Sequence, residues 1–158
     1  MIQDPGRLNY GQGGVVAALT NLGADWDQRH PGNPIGIGDL SQLGGGRSPR
    51  HPQQDHPNGN IVDIRPMRNN GISGPTNFLD ATYSRQLTRE LVNSLIGLRD
   101  QYGNAAVTDI LFNDPGIAGT TRERDRRDPR NGRRLPGVHD NHLNVTFRQN
   151  IGCLLRAI

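Results

Sequence analysis

Four leucines, at 87, 91, 95 and 98, recur along "SRQLTRELVNSLIGLRDQYG" at intervals of four, four and three residues. That is the spacing of one face of an α-helix, so the segment predicts an amphipathic helix whose leucines enter a core. Ser84 is placed to cap its start and Gly103 to end it. No other stretch is as periodic, and the rest of the fold has to assemble around this one. "GGVVAALTNLGADW" (13 to 26) predicts a shorter helix through Val15, Val16, Leu19 and Leu22. "NIVDI" (60 to 64), "AVTDILF" (106 to 112) and "HLNVTFR" (142 to 148) are rich in branched residues and bounded by Gly, Pro or Asn, as strands are. In the last of these, alternation sets Leu143, Val145 and Phe147 on one face and His142, Asn144 and Thr146 on the other.

These few elements leave much of the chain over, and 21 Gly and 11 Pro put that remainder into turns and loops. With 158 residues and 32% hydrophobic content, a single domain over 1–158 with one modest core is expected. The expected class is α+β: a small antiparallel sheet carrying a site on its open face, flanked by helices and long Gly/Pro-rich loops. All 18 basic residues are arginine, and the formal charge of +3 is too small to demand nucleic acid. Arginine favours carboxylate or phosphate partners. The run "TRERDRRDPRNGRR" (121 to 134) is interrupted by Glu123, Asp125 and Asp128, so it reads as a solvated, self-paired loop. One cysteine, Cys153, excludes an internal disulfide and reads as a small buried hydrophobe. No apolar run reaches membrane-spanning length, so no membrane insertion is expected. "MIQDPGRLNYGQGG" lacks the basic and apolar blocks of a signal peptide.

The chemistry-bearing residues fall in two groups. "RHPQQDHPNGNIVDIRP" holds His51, His56, Gly59 and Asp63, and "GVHDNHLNVTFR" holds His139, His142 and Asn144. A catalytic zinc site needs three protein N, O or S ligands and one position for water. His56, in the loop feeding a strand, and Asp63, at that strand's end, supply two; a third has to come from a distant neighbouring strand. Asp55 is placed to hydrogen-bond a ligating histidine. Gly44, Gly45 and Gly46 are followed by no Lys-Ser/Thr, so they form no P-loop; glycines there let an extended substrate approach the backbone. His30 is unassigned.

The spacing His56-x-x-Gly59-x-x-x-Asp63 resembles the H-x-x-G-x-x-x-D signature of zinc peptidases in the lysostaphin, D-alanyl-D-alanine peptidase and hedgehog group. More closely, the chain resembles the penicillin-insensitive murein endopeptidases over most of residues 34 to 148. "GIGDLSQLGGG", "NGNIVDI", "YSRQLTRELVNSLI", "DILFNDPGI" and "HDNHLNV" follow one another as that family's segments do. The resemblance implies a zinc-activated water that cuts cross-link peptides of peptidoglycan, in the periplasm or delivered to the cell wall. Its stem peptides would be the partner. By the same resemblance His56 and Asp63 match zinc ligands, and His142 and His139 match histidines that serve catalysis beside the metal. His51 matches one upstream of the first ligand.

Asn144 falls where the family has its third zinc ligand, a histidine. A neutral amide oxygen is a poor zinc ligand, which leaves three readings. Asn144 is an inactivating or weakening change; or His142 is the third ligand with His139 as base; or no metal binds. Strand alternation favours the first, because Asn144 and His142 share a face while His139 needs a bulge or turn to join them. A non-catalytic wall-binding module of the same fold is the alternative function. A His-Asn-His-type metal-dependent nuclease is the more distant one, since its site would form one compact hairpin and helix.

Overall fold

A computed structural model describes residues 10–41, 58–123 and 127–151. The order of elements is α1 (Gly13–Arg29), β1 (Ile61–Ile64), α2 (Arg85–Gly97), β2 (Val107–Leu111), a 3-10 turn (Val138–Asp140) and β3 (Leu143–Phe147). The three strands form one antiparallel sheet in the order β1-β3-β2, so the α+β expectation holds, with two helices beside a small sheet.

Strand β3 alternates as its sequence demands. Leu143, Val145 and Phe147 are buried, and Asn144 and Thr146 are half-buried on the other face. Val62 and Ile64 of β1, Ile110 of β2 and Phe112 just beyond it complete the apolar side of the sheet. Burial of such side chains contributes roughly 1.5–3 kcal/mol each. Helix α2 adds Leu91, Val92 and Leu95, all fully buried. Ser84 caps this helix as expected, its side chain accepting from the Leu87 N–H at 3.3 Å.

Two helix boundaries differ from expectation. Helix α2 ends at Gly97, not Gly103: Leu98 turns extended (ψ 134°) and stays buried, and its carbonyl accepts from the Ala106 N–H at 3.0 Å. The Asp100 carboxylate then takes the N–H groups of Tyr102 and Asn104, both at 2.9 Å, closing a turn in which Gly103 has φ +81°. The stop signal belongs to that turn. Helix α1 runs on to Arg29 and buries Val15, Ala18, Leu22 and Trp26, leaving Val16 exposed. His30, just past its end, lies 3.1 Å from Glu90 Oε2 and ties α1 to α2.

Two glycines carry the approach to β1. Gly59 has φ +64°, a conformation costly for other residues, and its carbonyl accepts from the Gln12 N–H at 2.9 Å. A Cβ there would lie 3.0 Å from the Gln12 nitrogen, so the glycine of the H-x-x-G spacing docks the start of α1 against β1. On the far edge, Gly38 donates to the Asp63 carbonyl at 2.7 Å while Asp63 N–H donates to Asp39 at 2.9 Å. Segment 36–39 thereby covers β1 as an extra edge. A Cβ on Gly38 would lie 3.1 Å from the Asp63 carbonyl oxygen.

Candidate metal centre

Asp63 and Asn144 are direct cross-strand partners in the β1–β3 pairing, 81 residues apart in sequence. Directly opposed residues point to the same face of a sheet, so the pairing sets the two side chains together. The Asn144 amide N–H donates to Asp63 Oδ1 at 3.0 Å. His142, one residue before β3, brings Nε2 to 3.6 Å from the same oxygen. Its Nδ1 is 2.8 Å from Asn141 Oδ1, which fixes the ring from behind. Asp63 and His142 share a cavity of about 230 Å³ with Gly38, Asp39 and Arg65.

His139 joins this corner through the 3-10 turn. Its ring centroid is 4.9 Å from that of His142, with the planes tilted by 58°. The turn supplies the bend that simple strand alternation lacks. On its other side, His139 Nδ1 lies 2.9 Å from Glu123 Oε1. Glu123 belongs to the arginine-rich run and was expected to be solvated. Instead a return loop after β2 carries it inward: Thr121 pairs with Ile110 and Phe112, and the Glu123 N–H then donates to Asn113 Oδ1 at 2.9 Å. Asn113 Nδ2 bridges Glu123 Oε2 at 3.0 Å and Asp140 Oδ1 at 2.8 Å. Arg134 from the same run grips Asp140 with both terminal nitrogens, at 2.8 and 2.6 Å. The Asp128 turn keeps the self-paired character expected of the run.

Burial raises the pKa of Glu123, but hydrogen bonds from Asn113 and the charge of His139 outweigh it and hold the carboxyl below its ordinary value. Asp140 is likewise held low: burial opposes, while Arg134, Asn113 and the Gly137 N–H prevail. Both remain ionised at neutral pH. Nothing in the sequence marks Glu123, because its partner is 16 residues away across a stretch rich in arginine.

His51, Asp55, His56, Gly44–Gly46 and Cys153 lie outside the described residues. Among the described residues, no group of three His, Cys, Asp or Glu side chains is placed to hold a metal ion. The described donors are Asp63 and His142, 3.6 Å apart, plus an amide whose N–H faces the carboxylate. Two ligands of one tetrahedral zinc, each about 2.0–2.2 Å from it, stand roughly 3.3–3.5 Å from one another. The carboxylate and imidazole fit such a pair. Asn144 turns its amide N–H to the Asp63 carboxylate.

Among the described residues, no helix is long and apolar enough to cross a membrane. Comparison with family models, with curated proteins and with solved structures finds no match for this chain.

Proposed function

We propose that this domain is a zinc peptidase of the murein endopeptidase type, acting at the cell wall on the cross-link peptides of peptidoglycan. The observation that carries the proposal is the convergence of Asp63, His142 and His139, three positions of the family motifs, at one end of a small sheet. With Nδ1 as donor to Asn141 Oδ1, His142 turns its Nε2 lone pair towards a carboxylate 3.6 Å away. Two acceptors facing each other are stable with a cation or a proton between them. Asp63 and His142 would hold zinc, with His56 added by the resemblance. When bound, the ion supplies an acidic water and polarises the scissile carbonyl.

The chain's own residues handle the proton. His139 Nδ1 faces the ionised Glu123, which leaves Nε2 to take a proton from the attacking water and return it to the leaving amine. Glu123 stabilises the imidazolium formed in between, as a carboxylate behind a catalytic histidine does. In this reading His142 is a ligand and His139 the base, and Asn144 orients Asp63.

One observation favours a second reading. The Asn144–Asp63 hydrogen bond occupies a carboxylate lone pair that a metal would use, as expected of a metal-free wall-binding module. Zinc analysis of the purified domain, with mass spectrometry of muropeptides and a parallel plasmid digest, separates the possibilities. The peptidase reading expects bound zinc and new amine and carboxylate ends on stem peptides. Intact peptides with wall binding retained would establish the module, and nicked plasmid the nuclease. Within the peptidase reading, His139→Ala should abolish cleavage and Asn144→His should leave it unchanged or lower. If Asn144→His instead tightens zinc and raises cleavage, residue 144 is the ligand position.

A further inference from the structure

A second and larger cavity, of about 680 Å³, is bordered by Glu123. Phe78, Leu79 and Pro115 give it an apolar wall, and Asn113, Glu123, Arg122 and Arg134 a polar one. Its volume is that of a small-ligand pocket. Its charges are not equivalent. Arg134 is engaged by Asp140 in a two-pronged ion pair and lies over the Phe78 ring at 5.3 Å. Glu123 turns its carboxylate inward to His139 and Asn113. Arg122 is exposed and makes no hydrogen bond or ion pair among the described residues, so it is the cation the pocket offers to a ligand. Leu79, 70% exposed, is the apolar surface it offers.

We infer that this cavity binds a peptide through a free carboxylate, which Arg122 pairs with while Leu79 and Phe78 cover the adjoining small side chain. A guanidinium receives a carboxylate by two parallel hydrogen bonds, and a neighbouring apolar wall selects short aliphatic residues over a bare anion. Glu123 borders the cavity and touches His139, which packs at a tilt against His142 of the smaller cavity. A ligand held there is linked to His139 through Glu123. That the ligand is a peptide rests on the peptidase reading; that it carries a carboxylate rests on Arg122 alone.

The test uses the full chain in EDTA, so that metal contributes nothing, with N-acetyl-alanyl-alanine, its C-terminal amide, acetate and inorganic phosphate as probes. Amide NMR shifts are followed at Leu79, Thr120, Arg122 and Glu123. The acid should bind at least about tenfold more tightly than the amide, the equivalent of one charge-assisted hydrogen bond. Arg122→Gln should erase that difference with the melting temperature unchanged, and Leu79→Ser should weaken acid and amide alike. Equal binding of acid and amide, or a difference that survives Arg122→Gln, overturns the inference. Acetate or phosphate binding as tightly as the dipeptide acid overturns its peptide part. A selective pocket in a protein that leaves muropeptides intact would sink the peptidase reading alone. Cleavage without selectivity would sink the pocket alone.

Discussion

Asp114 is fully buried and accepts hydrogen bonds from Tyr83 Oη at 2.7 Å and from Arg85 Nε and the Gly116 N–H at 2.8 Å. Asp63, 16% exposed, sits beside a cavity, with Asn144 Nδ2 at 3.0 Å and His142 Nε2 at 3.6 Å. Both carboxylates lie at the margin of the same sheet. Burial pushes the Tyr83 phenol well above its ordinary pKa, and the Asp114 charge adds to this. Burial opposes ionisation of Asp114, but Arg85 and Tyr83 overcome it. The difference teaches how to tell a polar cluster that holds a fold from one that is open to a ligand. The first closes its charge inside the fold among short, fixed donors; the second leaves its carboxylate lining a cavity.

The sharpest way to break this comparison is to remove each carboxylate. Asp114→Ala takes the partner from the half-buried Tyr83 hydroxyl and leaves the Gly116 N–H without its acceptor, and should cost about 2 kcal/mol in urea unfolding. A loss under about 1 kcal/mol would place Asp114 outside the framework. The next effect is collective. Asp114, Asp140 and Glu123 all have folded pKa values below their unfolded ones. Their stabilisation is therefore complete above the unfolded carboxylate pKa of about 4 and is lost as pH falls through the lower folded values. Melting temperature should be flat from neutral pH to about 4 and then fall, and less so in Asp140→Asn. An unchanged acid limb in that variant would remove Asp140 from the account. Asp63→Ala should cost less than Asp114→Ala, yet abolish zinc retention. If zinc content survives, Asp63 is not a ligand. Smallest of all, Arg122→Gln should stay within about 0.5 kcal/mol of the parent stability.

The parts legible in the sequence are those whose periodicity is local. Leu87, Leu91 and Leu95 fix α2, and Leu143, Val145 and Phe147 fix β3, because each set repeats within a few residues. The end of α2 was not legible. Leu98 continues the leucine spacing, and only its contact with Ala106 shows that it has left the helix. At the site, the facing of Asp63 and His142 follows from motif and alternation, whereas Glu123 was hidden in a run whose charges look self-sufficient. Its role depends on Asn113 and His139, which reach it through tertiary structure alone.

Strand order carries a consequence for how the domain is made. The middle strand of the sheet, β3, is the last of the three in the chain, and β1 and β2 pair with it and not with each other. During synthesis β1 and β2 therefore emerge before the strand that joins them exists, each with an unpaired edge. Neither can close until residues 143–147 leave the ribosome, so sheet formation is a single late event that brings together segments some eighty residues apart. Such distant pairings are slow to form, which lengthens the interval in which the growing chain depends on its helices or on a chaperone. The Asp63–His142 corner is completed by the same event, so the nascent chain assembles it only when β3 joins the sheet.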